Sequence, residues 1–68
     1  MATIAKRTIA GFTVEIEQGE NGIECWISKG RDSASLAVAE DYGELNDGTS
    51  VDNGTLDFIR EFAEKYGY

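Results

Sequence analysis

The side chains most able to bind a ligand or take part in a reaction are carboxylates in the second half of the chain. Seven acidic residues lie between Arg31 and Arg60, a stretch that contains no lysine or arginine. They are Asp32, Glu40, Asp41, Glu44, Asp47, Asp52 and Asp57. Acidic and basic residues are equal in number before this stretch, so the formal charge of −7 resides in residues 32–68. Carboxylates grouped in this way attract cationic groups and repel nucleic acid and anionic lipid.

Calcium is the first ligand to consider for such a run, because it binds clusters of oxygen atoms. The EF-hand loop requires acidic residues at its first, third and fifth positions, before its glycine. Neither Gly48 nor Gly54 in the glycine position satisfies that pattern. A calcium site of another type would use Asp41, Glu44, Asp47 and Asp52. We favour a solvated acidic loop over such a site and therefore expect no metal and no other cofactor.

The chain lacks the residue combinations of the common catalytic sites. It has no histidine, which excludes the serine–histidine and cysteine–histidine pairs of nucleophilic enzymes. The only cysteine, Cys25, alternates with Ile23 and Ile27, and this pattern predicts a buried thiol without a base beside it. No glycine-rich segment is followed by lysine at the spacing of a phosphate-binding loop. We therefore predict that the protein is not an enzyme, and we nominate no catalytic residue.

The basic residues give no sign of direct nucleic-acid binding. Lys6, Arg7, Lys29 and Arg31 are outnumbered by acidic residues and have no flanking aromatic residues. No stretch approaches the ~20 apolar residues of a membrane span, and the N-terminus lacks the apolar run of a signal peptide. One cysteine cannot build a disulfide framework. These features predict a single cytoplasmic domain over residues 1–68 that binds neither nucleic acid nor membrane.

Two segments with strict alternation predict a β-hairpin. In residues 12–17 and 23–28, apolar residues occupy every second position. The segment that connects them contains Asn21 and Gly22, the strongest short-range signal for a hairpin turn. A weaker strand is predicted over Thr3–Ala10, ahead of the hairpin. Its inward residues are predicted to be Ile4 and either Ala2 or Ala10.

The segment after the hairpin supports two interpretations. Leu36 and Val38 lie two residues apart, which favours a further meander strand over Ser35–Glu40 with both side chains facing the core. Three alanines in the same region instead favour a helix over Ser33–Asp41. We prefer the strand and keep the helix as the alternative.

The C-terminal segment has the pattern of an amphipathic helix. Gly43–Gly54 is predicted to be a loop, and Thr55 is predicted to cap the helix that follows. Apolar residues then recur at helical spacing, and two phenylalanines widen the stripe. They are Leu56, Phe58, Ile59, Phe62, Ala63 and Tyr66. The predicted fold class is therefore α+β: a small antiparallel meander of three or four strands with one C-terminal α-helix packed on one face.

The outward positions of the predicted hairpin supply a candidate binding surface. Trp26 is on the outward side, where it forms an interface, lies flat over neighbouring side chains or is covered by the Thr3–Ala10 segment. Glu15, Glu17 and Glu24 share its face. Glu15 and Glu17, on the first strand of the hairpin, are about 6.7 Å apart, which is comparable with the spacing of successive backbone phosphates. The predicted partner-binding residues are Glu15, Glu17, Glu24, Trp26, Glu40, Asp41, Tyr42, Glu44, Asp47 and Asp52.

Recognition of a cationic partner is the function that these features predict. In size and charge alone, the chain resembles the anti-CRISPR and anti-restriction proteins of phages and mobile elements, several of which imitate DNA. That resemblance implies an inhibitor that occupies the cationic surface of a nucleic-acid-binding protein or complex. The alternative is a homo-oligomeric assembly module, in the simplest case a homodimer, in which the acidic residues serve only solubility.

Overall fold

The computed structural model describes residues 2–68, which form four strands and two helices. The strands are β1 (Ala2–Ile9), β2 (Phe12–Gly19), β3 (Gly22–Lys29) and β4 (Asp32–Ser35), and the helices are α1 (Leu36–Tyr42) and α2 (Asn53–Glu64). The strands pair in chain order, and each is antiparallel to the next. This open four-stranded meander with helices confirms the predicted α+β fold class. Helix α1 lies in the segment for which a helix over Ser33–Asp41 is the alternative interpretation.

The hydrophobic core lies between one face of the sheet and the two helices. Alternate residues of β2 and β3 point into it, as the period-two pattern predicts. Val14, Ile16 and Ile27 are fully buried there, and the same cluster includes Leu36 of α1 and Ile59 of α2. Because both helices contribute to this one core, the opposite face of the sheet has no helix against it.

The predicted strand over Ser35–Glu40 is wrong, because helix α1 occupies this segment from Leu36 onward. Ser35 ends β4 and also caps the helix, since its hydroxyl accepts a hydrogen bond from the N–H of Val38 at 3.3 Å. Leu36 and Ala39 lie three residues apart and are buried, as expected for one face of a helix. Two apolar residues at a spacing of two do not by themselves distinguish a strand from a helix.

The prediction for the inward residues of β1 is also wrong. The register of β1 against β2 shifts between Thr3 and Ala5, and Ile4 at this bulge is 45% exposed. Ala5 and Ile9 pack against the core instead, whereas both alanines predicted as alternatives are exposed. A bulge changes which positions face inward, and alternation in the sequence does not reveal it.

Helix α2 begins earlier than predicted and has a narrower apolar face. Its N-cap is Asp52 rather than Thr55, because the Asp52 carboxylate accepts a hydrogen bond from the N–H of Thr55 at 3.3 Å. Most of the predicted apolar stripe is buried, but Phe58 is 65% exposed and Tyr66 is also exposed. Within residues 2–68, neither helix has the length and apolar character needed to cross a membrane.

The predicted hairpin is confirmed, and its turn lies one residue earlier than the Asn-Gly pair indicates. Gly19 pairs with Gly22, which leaves Glu20 and Asn21 as the two turn residues. The turn between β1 and β2 is less usual. Ala10, with a φ of 52°, is the one non-glycine residue of the described chain in the left-handed region.

Replacement of Ala10 by asparagine is expected to stabilise the fold. Ala10 and Gly11 have φ values of 52° and 84°, and Asn-Gly is preferred where both residues of a two-residue turn have positive φ. Asparagine tolerates this conformation better than alanine, so we expect the free energy of unfolding to rise by about 0.5–1 kcal/mol. Urea denaturation followed by circular dichroism measures the change. Ala10→Val is the control and is expected to destabilise, and equal stability of the two variants would contradict this account.

Candidate binding surface

The face of the sheet opposite the helices carries Trp26 among three glutamates. Trp26 lies directly across from Glu15, and Glu24 lies across from Glu17. Directly opposite residues stand on the same face with their Cβ atoms about 4.5–5.5 Å apart. The four side chains therefore form one group, which we call the outer-face cluster. Trp26 is 41% exposed and the glutamates are half-buried. Strand β1 does not cover Trp26, because it lies beyond β2 in the sheet.

Glu24 orients the indole ring of Trp26. The Nε1–H of Trp26 donates a hydrogen bond to Oε1 of Glu24 at 3.3 Å. The same carboxylate lies against Gly19, where an added Cβ would be 2.5 Å from Oε2 of Glu24. Glycine at position 19 therefore leaves the space that this carboxylate occupies.

The outer-face cluster has a net negative charge. The basic residue in register with it is Lys6, which lies opposite Glu15 on β1. Both ion pairs found within residues 2–68 are made by Arg60 on helix α2, so no glutamate of the cluster is neutralised by an ion pair. Free carboxylates beside an exposed indole suit a cationic ligand, because the charge and the ring face both attract it.

Three of the seven carboxylates in the acidic run hold the fold together, and Asp32 is the most buried of them. Its two oxygens accept hydrogen bonds from the N–H groups of Asp47 at 2.8 Å and Thr49 at 3.0 Å. Burial raises the pKa of Asp32, but hydrogen bonds from the side chain and backbone of Thr49 and from other N–H groups outweigh it. The pKa therefore lies below its ordinary value of 3.8. The ionised carboxylate of Asp32 thus holds the loop between the helices in place.

Glu40 and Asp52 are the other two carboxylates with structural contacts. Arg60 pairs with Glu40 through two hydrogen bonds, from Nε to Oε2 at 2.7 Å and from Nη2 to Oε1 at 2.5 Å, which join α2 to α1. Asp52 caps α2, and hydrogen bonds from the hydroxyl and N–H of Thr55 hold the pKa of its carboxyl below the usual range. Both residues belong to the predicted partner-binding set, and these contacts give each a role in the fold.

The segment between the helices is more ordered than its polar composition predicts. A β-bridge joins Glu44 to Ser50. Leu45 and Val51 are buried and belong to the core cluster. The predicted loop over Gly43–Gly54 is thus present as far as Asp52, whereas Asn53 and Gly54 belong to α2. Two apolar residues in the loop anchor it to the core.

The remaining predicted residues lie apart from the outer-face cluster, at the end of α1 and in the segment that follows. They are Asp41, Tyr42, Glu44 and Asp47, and all four are exposed. The N–H of Asn46 donates to the carbonyl of Ser33 at 3.3 Å, which places this segment beside β4 at the edge of the sheet. The predicted partner-binding residues thus fall into three groups: the outer-face cluster, this exposed segment, and the two residues with structural contacts, Glu40 and Asp52.

A surface depression of about 290 Å³ adjoins the outer-face cluster. It is lined by Ile23, Glu24, Cys25, Trp26, Ser35 and Tyr68. Sequence reasoning did not place Ser35 or Tyr68 here, since no local pattern brings the C-terminal residue to β3. A larger groove of about 520 Å³ lies between β1 and the start of α2, and the one acidic residue that lines it is the helix cap Asp52. The larger groove is thus distinct from the outer-face cluster.

Among the described residues, the structure shows neither a group of metal-binding side chains nor an activated thiol. In the part of the chain that the structure describes, no three carboxylate or thiol side chains are grouped so as to hold a metal ion. Cys25 is buried, and burial, together with the charge of Glu40, raises the pKa of its thiol to about 11. The thiol is therefore neutral near pH 7 and is a poor nucleophile.

Comparison with protein-family models, with curated proteins and with solved structures finds no match to this chain. The geometry and charge of the outer-face cluster are therefore the observations that bear on function.

Proposed function

We propose that this protein is a small acidic inhibitor that binds the cationic surface of a nucleic-acid-handling protein, in the place of nucleic acid. The observation that supports the proposal is the outer-face cluster, in which an exposed indole and three carboxylates share the face of the sheet that no helix covers. Tryptophan is enriched among the residues that dominate binding energy at protein interfaces. The carboxylates around it favour a positively charged partner and disfavour a negatively charged one.

The distribution of charge supports the same proposal. Glu15 and Glu17 are two positions apart on β2, so their side chains repeat along the strand at about 6.7 Å. The exposed segment beside β4 adds Asp41, Glu44 and Asp47 to the negative potential. A net charge of −7 on 68 residues speeds association with a cationic surface and makes it sensitive to salt. It also opposes binding of the protein to nucleic acid itself.

The proposal predicts that the protein releases a nucleic-acid-binding protein from DNA or RNA. Extract of the encoding organism is bound to immobilised duplex DNA or RNA, and the proteins released by the purified inhibitor are quantified. Replacement of Glu15 and Glu17 by lysine is expected to raise the concentration needed for release at least about tenfold, because it places like charges opposite the target. Release is expected to weaken as salt increases from about 0.05 M to about 0.5 M, because screening reduces charge attraction.

A matched variant separates the outer-face cluster from net charge. Asp57→Lys with Glu61→Lys makes the same change in net charge at exposed positions on α2, whose buried side packs on the other face of the sheet. This control is expected to release the target at nearly the wild-type concentration. Equal impairment of both variants would mean that net charge alone acts and that the cluster is not the site. Failure of the wild-type protein to release any nucleic-acid-binding protein would overturn the proposal.

A homo-oligomeric assembly module is the second candidate, and the open edge of β1 supports it. Within residues 2–68, this eight-residue strand pairs only with β2, and long unpaired edges are sites of strand addition. Lys6 and Arg7 near the middle of β1 oppose self-pairing, because antiparallel pairing centred on these two residues places Lys6 of one copy opposite Arg7 of the other. Sedimentation equilibrium at low micromolar concentration decides between the candidates. A salt-insensitive dimer would support the assembly module, and a monomer would exclude it.

A further inference from the structure

We infer that the group recognised by the outer-face cluster is the guanidinium of arginine rather than the ammonium of lysine. The inference rests on the proposed function, because it specifies the cation that the acidic surface binds. Three features carry it: the orientation of Trp26, the positions of the carboxylates around it, and the depression beside its ring.

The orientation of Trp26 leaves its aromatic ring, rather than its Nε1–H group, available to a partner. Its Nε1–H already donates to Glu24 at 3.3 Å, and the side chain is 41% exposed. The surface available to a partner is therefore the aromatic part of the indole. A guanidinium is planar and weakly hydrated, so it stacks on an indole face, whereas an ammonium is a compact and strongly hydrated point charge.

The carboxylates allow stacking and ion pairing at the same time. Glu15 is directly opposite Trp26, and Glu17 is diagonal to it on the same face. Diagonal neighbours on a sheet are about 7–8 Å apart, which is within reach of long side chains. The five N–H donors of arginine lie in the plane of the guanidinium, so its edge pairs with a carboxylate while its face lies on the ring. The N–H donors of lysine all radiate from one nitrogen atom. Lysine therefore has no flat face that could lie on the ring while a separate edge pairs with a carboxylate.

The depression beside the ring provides space for the side chain that carries the guanidinium. Its volume is about 290 Å³. Ile23, Glu24, Trp26 and Tyr68 are among the residues that line it. Ile23 also packs against the core, so the depression lies at the edge of β3 and extends from the outer face toward the helix side. Arginine buries its methylene groups on apolar surface while its charged end remains with carboxylates, which is the combination that this lining and the cluster present.

The test compares two peptides of equal charge, capped hexa-arginine and capped hexa-lysine. Trp26 is the only tryptophan of the chain, so its fluorescence reports on this surface, and calorimetry provides a second readout. At about 0.15 M salt, the arginine peptide is expected to bind about tenfold more tightly and to change the fluorescence of Trp26. The Trp26→Leu variant, followed by calorimetry, is expected to bind the two peptides equally. Circular dichroism verifies that this variant is folded.

The outcomes distinguish the inference from the proposed function. Equal affinity of the wild-type protein for the two peptides, with binding still weakened by Glu15→Gln with Glu17→Gln, overturns the arginine preference and leaves the cationic docking surface in place. A preference of undiminished size in Trp26→Leu also overturns the inference, because stacking on the indole then contributes nothing to it. Binding that is unaffected by Glu15→Gln with Glu17→Gln, but weakened by Asp57→Asn with Glu61→Gln, overturns both.

Discussion

Replacement of Ile16 by alanine is expected to remove about 2–5 kcal/mol from the free energy of unfolding, the usual cost of this change in a core. Ile16 is fully buried on the central strand β2 and lies opposite Cys25 on β3. A chain of 68 residues has a total stability of roughly 3–10 kcal/mol. The loss is therefore a large part of the total stability, and its upper value exceeds the total at the lower end of that range. Urea denaturation followed by circular dichroism measures it.

Ile4 supplies a matched control for this prediction. It is also an isoleucine in a strand, but it is 45% exposed at the bulge of β1. The same truncation at position 4 removes little buried surface, so its expected cost is below about 1 kcal/mol. Similar costs at the two positions would mean that the core does not lie on one side of the sheet. A cost at Ile4 larger than that at Ile16 would place the packed face of the sheet on the opposite side.

The parts of the fold that sequence reasoning predicted are those fixed by local pattern. In β2 and β3, alternation over six residues determines which side chains face inward, and a short connection determines that the strands pair. Ser35–Glu40 has no pattern of that length. The outcome there depends on the hydroxyl of Ser35, which caps α1, and on packing of Leu36 against the rest of the core. Tertiary contacts of this kind are not visible in a six-residue segment.

The candidate site divides in the same way. The outer-face cluster was predictable, because alternation places Glu15, Glu24 and Trp26 on one face and the hairpin brings their strands together. The structural roles of Asp32 and Glu40 were not predictable from the sequence, because their hydrogen-bond partners are 15–20 residues away along the chain.

Asp52 was missed despite a local signal. An acidic residue three positions before Thr55, immediately ahead of an apolar periodic run, is the pattern of an N-cap. A cap at Thr55 predicts a helix that begins too late, and it leaves Asp52 among the predicted partner-binding residues.

Replacement of Asp32 by asparagine is expected to disorder the segment between the helices and to lower Tm at pH 7 by about 5–10 °C. The two carboxylate oxygens accept hydrogen bonds from the N–H groups of Asp47 and Thr49 at 2.8 and 3.0 Å. Asparagine has the same shape, but it turns one acceptor into an N–H₂ donor that faces another donor. Leu45 and Val51 lie in this segment, so their anchoring in the core weakens as well.

The pH dependence of this effect identifies the carboxylate as its source. Because the folded-state pKa of Asp32 lies below the ordinary 3.8, its contribution to stability is complete above the unfolded value and is lost as pH falls through the lower folded one. The difference in Tm between the wild-type protein and Asp32→Asn should therefore be constant from pH 7 to about pH 5 and shrink below about pH 4. Asp47→Asn is the control, because the exposed side chain of Asp47 takes no part in these hydrogen bonds. A difference that persists unchanged to pH 2 would show that ionisation of Asp32 does not hold the segment in place.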